Sequence, residues 1–236
     1  AAALGLSPSQ LGLLGQAMAN PTAPSVIWLH GSSCTGCSVS LLNRIAEKAG
    51  GGTSNIADVL VENINLVFHA TIMASAGDPA VAMLKRLYEQ GNYILVTEGG
   101  VPTAFGGRCC VVYSFAGAEI TYMQAVQELS SRAIANVCVG TCASFGGIPR
   151  SMSNPTGIVS VRELTGRPKI NISCCPANPD WIVWAVVQLL TGATVDLDED
   201  GRPTALYNKD LAGGAAAEFI HDKCPRNIII NPLAPE

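Results

Sequence analysis

The sequence predicts an α/β fold, a doubly wound parallel sheet with an irregular, loop-rich C-terminal tail. Short apolar runs rich in Val and Ile alternate with segments of helical periodicity, which is the pattern of repeated βαβ units. Of the 236 residues 48% are hydrophobic and only 14% charged, as suits strands buried on both faces. Past about Thr191 the alternation dissolves into "GATVDLDEDGRPTALYNKDLAGG".

The elements follow in order. Ser25–His30 reads as a first strand. Val39, Leu41, Leu42 and Ile45 give Ser38–Lys48 a helical stripe. "AGGGTSN", residues 49–55, is a glycine-rich loop, and Ile64–Phe68 a second strand. Asp78–Gln90 is a helix with Pro79 in its first turn and Gly91 closing it. Tyr93–Thr97 is a third strand running into "EGGVPTAFGG", and Cys109–Tyr113 a short extra one. Ile120–Arg132 is a helix, and Ala133–Val139 a strand running into "GTCASFGGIP". Ile158–Leu164 fits a short helix, Lys169–Ser173 a strand before "CCPANPDW", and Trp181–Leu190 an apolar helix.

This gives three expected units: an extension over 1–24, an α/β domain over 25–192, and a tail over 193–236. The extension, "AAALGLSPSQLGLLGQAMANPTAP", has two readings. It resembles an export-signal remnant with a small-residue cleavage site, but lacks a positive region; alternatively it is an Ala/Leu-rich docking helix. No stretch is long and charge-free enough to read as a membrane span. Net charge is −4 with no basic cluster, so nucleic acid is not an expected partner. The sparse charge also fits a surface partly covered by another subunit.

Nine cysteines, an odd number with adjacent pairs at 109–110 and 174–175, argue against a disulfide framework in a chain this long. Their positions are more informative. Cys34 and Cys37 follow the first strand, Cys142 follows another and Cys175 a third, so all four fall at the carboxyl edge of the expected sheet, where α/β folds bind ligands. Glu98 lies at the same edge. Gly31, Gly36, Gly140, Gly146 and Gly147 would let backbone approach closely and turn N–H groups inward, and Pro176 and Pro179 would stiffen the last loop.

A redox disulfide explains Cys34 and Cys37 but not Cys142 and Cys175. A zinc ribbon uses two C-x-x-C knuckles, whereas here the second pair of thiols comes singly from separate strand ends. Four thiols around one point best suit a [4Fe–4S] cluster. Cys138, inside a strand, reads as a small hydrophobe, and Cys109, Cys110 and Cys174 allow the same reading. Beyond the thiols there is no acid–base or nucleophilic constellation.

The segments "SSCTGCS", "TIMASAG", "VTEGGVPT", "VGTCASFGGIP", "CCPANPDW", "DGRPTALY" and "IHDKCPR", in that order from Val26 to Arg226, resemble the small subunit of [NiFe] hydrogenases. The related subunit of respiratory complex I is similar, but typically opens its cluster motif with adjacent cysteines. The resemblance implies a flavodoxin-like domain in which Cys34, Cys37, Cys142 and Cys175 ligate a proximal [4Fe–4S] cluster, with Glu98 and Thr141 lining its edge. It also implies a large partner subunit holding a nickel–iron centre, and an external carrier, either a cytochrome or a membrane quinone-linked protein.

His221 and Cys224 match the start of the family's distal-cluster motif, as part of an additional iron–sulfur cluster. No cysteine follows Cys224, so these two cannot complete a four-ligand site. Gly36 and Ile148 stand where oxygen-tolerant members carry extra cysteines, which implies an ordinary four-cysteine cluster; Cys174, where glycine is common, is a candidate alternative ligand. The resemblance favours the periplasm or the outer face of a bacterial inner membrane, with a cytoplasmic location as the alternative. The rival readings are a complex I-like electron-transfer subunit and a zinc-binding structural module.

Overall fold

The computed structural model describes residues 24–47, 53–56, 60, 64–167 and 169–207. Five strands form one sheet: β1 (Ser25–His30), β2 (Leu66–His69), β3 (Tyr93–Glu98), β4 (Ala135–Val139) and β5 (Ile170–Ile172). All pairings are parallel and the spatial order is 2-1-3-4-5. That is the flavodoxin-like order, with its switch point between β1 and β3. There His30 pairs with Glu98, and Glu98 with Val139.

Among the described residues, the helices that accompany the sheet are α1 (Gly36–Leu42), α2 (Gly77–Gln90), α3 (Tyr122–Ser130), α4 (Gly140–Phe145), α5 (Val161–Thr165) and α6 (Pro179–Leu190). Alternation along β1 sorts the core into two layers. Val26 and Trp28 pack with Leu41 of α1 and Ile182 and Val186 of α6. Ile27 and Leu29 pack with Leu84 of α2 and Val126 and Leu129 of α3. Both faces of the sheet are therefore covered, which is why its strands read as continuous apolar runs.

Several boundaries differ from the sequence reading. The second strand starts later, at Leu66. Helix α1 stops at Leu42 instead of running to Lys48, and Ile45–Glu47 pairs antiparallel with Thr53–Asn55. Ile45, counted in the helical stripe, is instead exposed. The chain turns because Arg44 is buried and its Nε donates to Asp180 Oδ1 of α6 at 2.8 Å. Ile158–Val159 is a strand paired antiparallel with Val101–Pro102, and α5 begins only after Ser160, whose side chain accepts from Glu163 N. The short extra strand falls at Val111–Phe115, in a hairpin with Ala118–Thr121.

The described part of the tail, up to residue 207, is irregular as expected and docks on β5. Asn171 N donates to Gly201 O at 2.8 Å, and Tyr207 Oη donates to Ser173 O at 2.7 Å. Among the described residues no helix is long and apolar enough to cross a membrane. The extension up to residue 23, most of the glycine-rich loop, and His221 and Cys224 lie outside the described residues.

Candidate metal centre

The switch point gathers three loops. Cys34 lies in the turn between β1 and α1, and Cys37 in the first turn of α1; Cys142 is in α4, directly after β4; Cys175 follows β5. Cys37 is buried, Cys142 half-buried, and Cys34 and Cys175 are exposed, so the group opens at the surface.

Cys37 and Cys142 each feel neighbouring thiols. The Cys37 thiol is pushed up to about 12, first by burial and then by Glu98, Cys142 and Cys34, against an opposing N–H from Ala177. Cys142 is raised by burial and by Cys175, Cys34 and Glu98, against an opposing N–H from Ile148. Two loop amides point at sulfur, Ala177 N lying 3.5 Å from Cys37 Sγ and the Ile148 amide bonding Cys142, and neither belongs to the glycines named from the sequence. Left alone, such thiols hold their protons. A cationic centre would reverse that balance and release them.

Three of the five glycines singled out face sulfur. A Cβ on Gly140 would sit 2.5 Å from Cys37 Sγ, one on Gly147 2.6 Å from Cys142 Sγ, and one on Gly36 3.0 Å from Cys34 Sγ. The other two have different neighbours: Gly31 makes room for the Tyr122 ring and Gly146 for the Arg150 side chain. Among the described residues no three Cys, His, Asp or Glu side chains converge closely enough to ligate one ion.

Of the remaining residues, Thr141 ties α4 to the β5 loop, its N–H donating to Cys174 O at 2.9 Å. Cys138 is the buried small residue expected, with Thr97 Oγ1 at 3.5 Å from its sulfur. Cys109 departs from that reading because it is exposed; Cys110 and Cys174 are half-buried.

Glu98 does more than line an edge. Its carboxylate is 1% exposed and accepts from Cys37 N (3.0 Å), Ser38 N (3.3 Å), Ser38 Oγ (2.5 Å) and Trp28 Nε1 (3.2 Å). His30 Nε2 lies 3.7 Å from it and 3.0 Å from Ser33 Oγ. Burial pushes this carboxyl up, but the bonds with His30 and Ser38 and the His30 charge outweigh it and hold it below the usual range. Sequence reading missed Trp28, Ser38 and His69 as its surroundings. A histidine ending each of two apolar strands, His30 and His69, was the available signal.

His69 Nε2 lies 3.2 Å from Ser38 Oγ, and burial lowers its pKa from 6.5 to about 4 despite the pull of Glu98. The native ring is therefore neutral where the unfolded one is charged. This contribution to stability is complete above pH 6.5 and is lost as pH falls toward 4. Its full size is on the order of 3 kcal/mol. Urea midpoints measured from pH 7 to pH 4 should fall more steeply for the native chain than for His69→Gln; parallel curves would contradict this.

The family model described as "NADH ubiquinone oxidoreductase, 20 Kd subunit" matches residues 34–189. The periplasmic [NiFeSe] hydrogenase small subunit of Desulfomicrobium baculatum is 38% identical over 219 residues, covering 85% of this chain and 64% of that one. The periplasmic [NiFe] hydrogenase small subunit of Solidesulfovibrio fructosivorans is 36% identical over 227 residues, covering 96% and 66%. This chain thus spans about two thirds of the length of these relatives. Among solved structures, the [NiFeSe] hydrogenase of Desulfovibrio vulgaris Hildenborough superposes with a TM-score of 0.73 at 37% identity, covering 86% of this chain and 73% of that one. With the flavodoxin-like sheet and the thiols at its switch point, these likenesses agree: the chain belongs to this family and to the small subunits of [NiFe] and [NiFeSe] hydrogenases.

Proposed function

We propose that this chain relays electrons between the nickel–iron site of a separate large subunit and an external carrier, through a [4Fe–4S] cluster held by Cys34, Cys37, Cys142 and Cys175. The observation that carries this is the meeting of three cysteine-bearing loops at the carboxyl edge of the sheet, where Cys37 Sγ lies against Gly140 and 3.5 Å from Ala177 N, and Thr141 N donates to Cys174 O. The donor set fits the group. It is all thiol, and its glycines leave room beside three of the sulfurs. When bound there, the cluster supplies a one-electron store. The chain's own residues keep water from Cys37, aim the Ala177 and Ile148 N–H groups at sulfur, and fix the loops.

The 25–192 domain carries this site, with 193–236 as its tail and 1–24 as an extension. His221 and Cys224 belong to a second cluster that needs donors beyond these two. Thr141 stands at the edge of the first. The hydrogen-activating chemistry lies in the large subunit, and the carrier is a cytochrome or a membrane quinone-linked protein. A periplasmic setting is supported by the descriptions of the relatives. Visible absorbance that bleaches on reduction, with a matching paramagnetic signal, tests this reading; a colourless chain with zinc bound overturns it.

The partner has a suitable surface. Phe105, Ile148 and Met152 are 78%, 74% and 100% exposed. They lie on two loops tied together by Thr103 Oγ1 donating to Gly157 O at 2.7 Å, and Ile148 also adjoins Cys142 through its amide. Large apolar side chains left in water beside a functional edge mark a subunit interface. Changing Phe105 and Met152 together to Glu should lower recovery of the large subunit on copurification by about tenfold or more while the chain stays folded. Undiminished recovery would place the interface elsewhere.

The second reading, a complex I-like subunit feeding a quinone site, has the description of the matching family model in its favour. It requires a nickel-free partner.

A further inference from the structure

We infer that Glu98 is a positioning residue, a buried carboxylate that fixes Cys37 by capping α1 from a neighbouring strand; its bearing on a cluster rests on the function proposed above. Helix α1 lacks a local cap: Thr35, at its N-cap, has φ of 65° and makes no side-chain cap hydrogen bond. The first turn of a helix leaves N–H groups without partners, and in a buried loop each must be met. Glu98 meets two of them, Cys37 N and Ser38 N, through one oxygen from 61 and 60 residues away in sequence.

Its second oxygen is held in turn by Trp28 Nε1 and Ser38 Oγ, so the carboxylate has little freedom to swing. Cys37 is thereby held from three sides. Its amide is tied to β3, its sulfur accepts from Ala177 N ahead of α6, and the same sulfur occupies the space left by the missing side chain of Gly140. Tyr122 secures the base of the clamp, with its Oη donating to Glu98 O at 3.2 Å. Bonds from N–H groups to a carboxylate are about twice as strong as neutral ones. Every bond of this clamp is made by the chain's own residues.

Glu98→Gln keeps the volume but offers one accepting oxygen instead of two, and it puts an NH₂ opposite donors. Glu98→Ala removes the clamp. Tyr93→Phe is the control: it deletes a buried bond, Tyr93 Oη to Leu129 O at 2.6 Å, at the other end of β3. Two readouts separate the inference from the reading beneath it. The first is amide hydrogen exchange at Cys37 and Ser38 in the full chain without metal. Exchange there should be about tenfold to a hundredfold faster in Glu98→Ala, less so in Glu98→Gln, and unchanged in Tyr93→Phe.

The second is the iron content and reduction potential of the loaded chain. Glu98→Gln should bind less iron and show a raised potential, since a negative charge has gone, whereas Tyr93→Phe should lower only thermal stability. Unchanged exchange at Cys37 and Ser38 in Glu98→Ala overturns the inference. Faster exchange in a chain that never takes up iron upholds the clamp and overturns the cluster.

Discussion

Cys142→Ser is expected to take the anaerobically prepared chain from about four irons at this site toward none. Cys142 sits on the β4 loop, with its thiol raised first by burial and then by Cys175 and Cys34, against the Ile148 amide. The matching control is Cys138→Ala, four residues earlier on β4. Cys138 is fully buried and packs with the α3 layer. Its loss should cost about 1 kcal/mol of stability and leave iron content unchanged. A Cys142→Ser chain with full iron and an unaltered paramagnetic signal would contradict the four-thiol assignment.

Gly140→Ala should be nearly as severe, by a different route. Gly140 has φ of 85°, which an L-residue adopts only with strain, and a Cβ there would meet Cys37 Sγ at 2.5 Å. Strain alone costs about 1–2 kcal/mol. The contact adds displacement of a buried sulfur that Ala177 N holds, on a residue whose amide Glu98 holds, so iron content should fall along with the melting temperature. Gly166→Ala separates the two effects, since Gly166 has φ of 61° and nothing within 4 Å of its Cβ. That variant should lose stability by strain only and keep its iron. Equal behaviour of the two would mean that Gly140 does not shape the site.

The contrast between these residues also explains how far the sequence could be read. The strands were visible because each is buried on both faces, so β1 and β3 appear as unbroken apolar runs that end at loop residues. From there the edge positions of Cys34, Cys37, Cys142 and Cys175 followed by topology alone. What stayed hidden depends on partners distant in sequence. Helix α1 ends at Leu42 because Arg44 finds Asp180, 136 residues away, and no local pattern encodes that bond.

Ile158 and Val159 looked helical by spacing, yet Val101 and Pro102 offer them a strand to pair with. Gly31 looked like a sulfur neighbour by position, but the space it leaves is filled by Tyr122. Glu98 was legible as a residue at the edge, whereas its bonds to Trp28, Cys37 and Ser38 required β1, β3 and α1 to be assembled first.

The most direct test is elemental. The protein should be purified anaerobically with whatever partner accompanies it, and iron, acid-labile sulfide, nickel and zinc measured per chain. The expected result is iron and sulfide of about four each for the site on this chain, with nickel present whenever the large subunit copurifies. Zinc in place of iron, with no labile sulfide, would contradict it and make Cys34 and Cys37 half of a structural metal site.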